Sequence, residues 1–137
     1  MTRSTSLFAV TLLLTSLLSP CWATDTLPTT IVEQWLAHLD HHEYQESWQT
    51  AAHYLQRAIP APQWTQTLVA HREPFGKVIQ RQHSTTEYKG TLPGIPNGQY
   101  AIAHFLTSFE KKDQALETVV MTLESNGTWK AIGYTIK

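Results

Sequence analysis

Glu117, His104, Tyr134 and Tyr100 are the side chains best suited to chemistry on a small molecule. Glu117 sits in an apolar, β-rich run, Ala115–Leu123. Alternation places it on the same strand face as Val119 and Met121. A carboxylate there loses hydration, which raises its pKa and suits it to general acid or base work. With Tyr100, Tyr134 or His104 positioning substrate, this would be an acid–base site for a small molecule. The preferred reading keeps Glu117 at the rim, bonded to Arg72, Arg81 or a tyrosine, since perturbed carboxylates also occur in structural networks. His104 and Glu117 fall about 13 Å apart along the sheet at strand rise, too far for a dyad. Tyr100, Glu117 and Tyr134 remain the candidates for ligand contact.

His38 and His42 lie four residues apart and could share a helical face as metal ligands, with His41 beside them and Glu46 a turn further on. Asp40 interrupts that helix, and no HExxH or cysteine partner is present, so no metal is expected. Histidines at a helix end complement the helix dipole without one. Asp40, three residues before Glu43, reads as an N-cap rather than a catalytic acid. Ser47, Ser108 and Ser125 lack a nucleophile elbow, and no motif implies a cofactor.

The chain has 137 residues, and its first stretch reads as an export signal. Arg3 precedes an apolar run from Leu7 to Leu18, too short to span a bilayer, and Cys21 and Ala23 suit a signal peptidase. Cleavage after Ala23 leaves about 114 residues, enough for one domain spanning 24–137. The expected location is therefore periplasmic or secreted, with no membrane span after cleavage. A lipidated Cys21 is the competing reading, and Pro20 directly before it argues against it. Loss of Arg3 leaves nine basic against eleven acidic residues, and the absence of a basic stripe speaks against nucleic acid. The single cysteine leaves with the signal, so the core holds the domain without disulfides.

The elements that must position these residues follow from periodicity. Thr30 and Glu33 have capping-box spacing, and Val32, Trp35, Leu36 and Leu39 make a helix near 30–40. Tyr44, Trp48, Ala52, Leu55 and Ile59 form one stripe, predicting a second helix over 43–57. Pro62 starts a third, with Trp64, Leu68 and Val69 on its apolar face, and Pro74 ends it. Trp35, Tyr44, Trp48 and Trp64 at helical spacing are read as core. Strands are expected at 77–88, 99–109, 115–125 and 128–136. Helices followed by strands mean α+β: three helices packed on a curved, cone-like, four-stranded antiparallel sheet.

Asn126-Gly127 predicts a two-residue type I′ hairpin. That register faces Met121, Val119 and Glu117 with Ile132, Tyr134 and Ile136, and places Trp129 and Ala131 on the opposite face. A preceding turn at Lys112-Asp113 would bring Tyr100, Ile102, His104, Leu106 and Ser108 onto the Glu117 face.

A wider pattern runs through Trp35-Leu36, Asp40, Tyr44, Ser47-Trp48, Ala51, Trp64, Arg72, Gly76 and Arg81. It continues through Leu92-Pro93-Gly94, Pro96, Gly98, Tyr100, Phe105, Thr107, Phe109, Glu117-Thr118-Val119, Trp129 and Gly133-Tyr134. Over nearly the whole mature chain this resembles the exported bacterial domain-of-unknown-function family 4019 (DUF4019). His42 departs from it, standing where a small residue such as glycine is expected. The layout is also similar to nuclear-transport-factor-two-like and cystatin-like folds, which host isomerases, dehydratases, binding modules and assembly domains alike. The alternative it implies is an isomerase or dehydratase with Glu117 as base, and fold alone does not choose. The resemblance transfers no catalytic residue. The expected function is a non-catalytic module binding a small molecule or a protein, with a homodimer through the Trp129 face of the sheet as a further expectation.

Overall fold

A computed structural model describes residues 26–137. The expected export signal, its expected cleavage point and Cys21 lie outside the described residues. Helices α1 (Thr29–Asp40), α2 (Tyr44–Gln49), α3 (His53–Ala58) and α4 (Ala61–His71) precede a 3-10 turn over Glu73–Phe75. Strands β1 (Val78–Lys89), β2 (Tyr100–Phe109), β3 (Lys112–Leu123) and β4 (Trp129–Ile136) form one antiparallel sheet in the order β1-β2-β3-β4. The architecture is α+β with an open sheet.

Helix α1 buries Val32, Trp35, Leu36 and Leu39. The Thr30–Glu33 capping box is not made: Pro28 occupies the N-cap position, and no side chain caps the helix. The expected second helix is two. Ala52 leaves helical geometry at ψ 150° and gives its N–H to the Ala131 carbonyl at 2.9 Å. The Gln56 amide meets the freed carbonyls of Trp48 and Gln49 at 3.0 Å each. A continuous helix would forfeit this tie to β4. Pro62 stands in the first turn of α4, which ends at His71, before Pro74 enters the 3-10 turn.

Ser47, fully buried, joins the helices. Its hydroxyl donates to the Tyr44 carbonyl (2.7 Å) and accepts from Trp64 Nε1 (2.9 Å), while its carbonyl accepts from Trp35 Nε1 (3.0 Å). The Trp35 ring lies 6.3 Å from those of Trp64 and Tyr134. The polar edges of two core tryptophans are thereby satisfied without solvent.

The β3–β4 hairpin departs from the expected register in an instructive way. The Gly127 N–H donates to the Glu124 carbonyl at 2.9 Å, and Gly127 takes φ 82°. The loop is thus three residues with glycine in the left-handed region, rather than a two-residue turn. Leu123 therefore faces Trp129 and Met121 faces Ala131, and both β4 residues are in the core, at 6% and 0% exposure. A bulge beyond Ala131 removes the slip, so Val119 faces Tyr134 and Glu117 faces Ile136 as the simple hairpin requires. Trp129 is consequently core, not part of an outer sheet face.

The β2 faces are reversed from expectation. Glu110-Lys111 makes the turn, and a bulge with Gln114 at φ 49° sets Phe105 opposite Glu117 and Ala103 opposite Val119. Ala101, Ala103, Phe105, Thr107 and Phe109 face the helices. Tyr100, Ile102, His104, Leu106 and Ser108 alternate to the other side.

Replacing Ser47 with alanine leaves the buried Trp64 indole N–H without its acceptor. The expected cost is about 1–3 kcal/mol in urea unfolding; a loss below about 0.5 kcal/mol would mean this bond contributes little.

Candidate functional site

Two acids and two arginines meet beneath the sheet, supplied by elements distant in sequence. Asp40 is the last residue of α1, Arg72 follows α4, Arg81 is on β1 and Glu117 on β3. Glu117 is fully buried and Arg72 is 2% exposed, whereas the Asp40 side chain retains 23%. Glu117 is therefore not at a rim; it lies opposite Phe105 on the sheet face that the helices cover.

The Arg81 guanidinium sits between both carboxylates. Its Nε lies 2.7 Å from Glu117 Oε2 and its Nη2 3.2 Å from Oε1. On its other edge, Nη1 and Nη2 donate to Asp40 Oδ2 and Oδ1 at 2.7 and 2.9 Å. Such paired donation matches the planar fork of arginine and could not be reproduced by lysine. Arg72 donates to Asp40 and, at 3.2 Å, to the Leu39 carbonyl. Its guanidinium carbon lies 5.3 Å from the Phe109 ring centroid, a cation–π arrangement.

Two hydroxyls complete the Glu117 shell. Thr107 donates to Oε2 at 2.6 Å and Tyr134 to Oε1 at 2.7 Å. Burial, then the Glu117 charge, push the Tyr134 phenol well above its ordinary range, which keeps it a donor. Burial opposes the charge on Arg81, but hydrogen bonds to Asp40 and Glu117 outweigh that and hold it protonated. The formal charges of the four ionic groups cancel, and every oxygen of Glu117 is engaged. A carboxylate so bonded is a structural ion, with no lone pair directed at a substrate.

The other sequence candidates do not converge on it. His104 pairs in register with Thr118, its Nδ1 2.9 Å from the threonine hydroxyl, on the opposite face from Glu117. Opposite faces, not distance along the sheet, separate the two. Tyr100 is also on that far face, where its hydroxyl donates to the Pro96 carbonyl beneath the 90–99 loop. Tyr134 alone joins Glu117. His38 Nδ1 meets Glu43 at 2.8 Å, and His42 Nδ1 meets the Tyr44 hydroxyl at 2.9 Å, so the two histidines serve separate pairs. His42 adopts φ 60°, the conformation for which a small residue is better suited. Among the described residues no group of three or more His, Cys, Asp or Glu is placed to hold a metal.

Asp40 is not an N-cap, and its service to both arginines escaped the sequence reading. So did Thr107, because the expected β2 register pointed it away from Glu117.

Glu117 lines none of the main clefts. One, of about 350 Å³, lies between α4 and β4 and is lined by Trp64, Leu68, His71, Tyr134 and Ile136 among others. Another, of about 200 Å³, lies between α1 and the start of β4. A wider opening, of about 560 Å³, is bordered by Asp40, His41, His42, Lys77 and Val78, so the ionic cluster meets a cleft through Asp40 and not through Glu117.

The chain belongs to the family described as a protein of unknown function, DUF4019, whose model matches residues 31–134. No curated protein and no solved structure matches the chain. Many of the residues that carry the resemblance, including Asp40, Ser47, Trp64, Arg72, Arg81, Thr107, Glu117 and Tyr134, are the members of the two buried networks described above.

Glu117→Gln faces the Arg81 guanidinium with an amide and leaves Asp40 as the one carboxylate for two buried arginines, so the cluster carries an uncompensated positive charge. A loss of about 3–5 kcal/mol in chemical denaturation is expected; a loss below about 1 kcal/mol would contradict the buried-pair geometry. Alkaline titration offers a second check. The Tyr44 phenol, buried and hydrogen-bonded to Glu73, is pushed up to about 12 from its ordinary 10.0. Because the folded value is raised, its contribution is complete below pH about 10 and is lost as pH rises towards 12. Tyr44→Phe should therefore flatten the fall in unfolding free energy across that window, and an unchanged slope would contradict the assignment.

Proposed function

We propose that this chain is exported and that its mature domain works by binding a ligand or partner rather than by catalysis. The observation carrying this reading is the state of Glu117. The buried acid best placed to act as a base is saturated by Arg81, Thr107 and Tyr134 and borders none of the main clefts. The α4–β4 cleft, by contrast, has apolar walls with a few polar groups, the usual character of a binding site. The isomerase or dehydratase reading requires Glu117 to face a substrate-sized space, and the side chain faces an arginine instead. The leader supports export: Arg3, an apolar run and Ala23 have the order of a cleaved signal.

Two measurements test the two parts. Expressed in a Gram-negative host, the full chain should reach the periplasm with a mass beginning at Thr24. An uncleaved cytoplasmic product would overturn export. For binding, the mature domain is titrated with 1-anilinonaphthalene-8-sulfonate, an apolar anion, and followed by amide chemical shifts. Saturable shifts confined to Trp64, Leu68, His71 and Ile136 are expected. Shifts centred on Glu117 and Arg81 would instead favour a reactive site there.

A further inference from the structure

β4 closes the sheet on one side, and its last residues leave a hydrogen-bonding edge open. Leu116 and Lys137 exchange both backbone bonds, at 3.0 and 3.1 Å. Antiparallel alternation then turns the N–H and C=O groups of Tyr134 and Ile136 away from β3. No hydrogen bond to these groups from outside the β3–β4 ladder occurs among the described residues. Earlier in β4 the edge is covered, since the Ala131 carbonyl accepts from Ala52. The open edge therefore starts beyond Ala131 and spans about five residues, Gly133 to Lys137.

The cleft beside this edge has its floor and wall in place. Tyr134 and Ile136 lie on the strand side, and Trp64, Thr67, Leu68 and His71 on the helix side, around about 350 Å³. An extended segment added to β4 would direct alternate side chains into that space. The opposite edge, β1, is interrupted by irregularities between Val78 and Gln80 and between His83 and Thr85, a common defence against strand addition. The far half of β4 has no such interruption and no proline. No acidic side chain lines the cleft, whereas His71 and Lys137 do. An acidic residue is thus favoured in an occupant over a basic one.

We propose that the β4 edge and α4 cleft bind a short extended segment of a partner protein as a fifth strand. The segment places apolar side chains at alternate positions over Leu68 and Ile136 and an acidic residue near His71 and Lys137. This deepens the binding reading given above and rests on it.

The test is selection of random twelve-residue peptides against the immobilised mature domain, followed by calorimetry on the recovered sequences. Recovered peptides should alternate apolar residues, and their binding should slow amide exchange at Tyr134 and Ile136. Methylating alternate peptide nitrogens should weaken binding at least tenfold. So should Thr67→Trp, which fills the cleft from an exposed position, while Gln66→Trp on the same helix should leave affinity within twofold. Peptides indifferent to Thr67→Trp, or no recovered peptide, would overturn the proposal. So would a domain that dimerises through Ile136, which would assign the edge to a second copy. If the fluorescent anion still titrates the cleft after peptide selection fails, the strand-addition inference falls while the binding reading stands.

Discussion

Four ionic groups meet under a sheet where water hardly reaches Glu117 and Arg72 and reaches Asp40 only in part. They are satisfied largely by one another, with Arg72 Nε the buried donor left without a partner among the described residues. Removing Glu117 and Arg72 from water, and Arg81 largely so, costs several kcal/mol per ion, recovered only by close, well-oriented partners. Arg81 meets this by donating along two edges, to Asp40 at 2.7 Å and to Glu117 at 2.7 Å. The requirement reaches far into the fold, because the partners come from α1, the end of α4, β1 and β3, with hydroxyls from β2 and β4.

Those connections make the cluster a selector of geometry. A one-residue slip between β2 and β3 would turn Glu117 to the outer face and leave Arg81 with half its partners. The same slip would separate Thr107 from the carboxylate. The helices are fixed by a parallel device: Ser47 ties Tyr44, Trp35 and Trp64 together, and the Trp35 ring approaches Tyr134, whose hydroxyl returns to Glu117. One continuous path of contacts therefore links the helical layer to the sheet. A carboxylate committed to such a path is poorly suited to exchanging protons with a substrate, which is why the functional reading moves to the α4–β4 cleft.

Periodicity and composition located α1, α4 and all four strands, from apolar spacing in the helices, a β-branched polar run at β1 and alternation in the later strands, with proline, glycine or charge at the boundaries. It joined α2 to α3 because the apolar stripe runs through both; the break depends on a hydrogen bond from Ala52 to Ala131, a contact between residues distant in sequence. The facing of Glu117 and Tyr134 was legible although the hairpin loop was not. The three-residue loop and the bulge beyond Ala131 offset each other in the far half of the strands. Trp129 and Ala131, lying between those two irregularities, were placed on the wrong face for the same reason. At the candidate site, Arg72, Arg81 and a tyrosine were visible as partners for Glu117. The roles of Asp40 and Thr107 were not, because each depends on tertiary placement or on a bulge that composition does not encode.

The central claim is that Glu117 and Arg81 act as one buried unit that organises the domain. A double-mutant cycle of Glu117→Gln and Arg81→Gln, read by urea unfolding of the domain, measures it most directly. Mutual satisfaction predicts strong coupling of at least about 2 kcal/mol, the double variant losing much less than the two single losses combined. Additivity within about 0.5 kcal/mol would contradict the account, showing that each side chain is stabilised independently of the other.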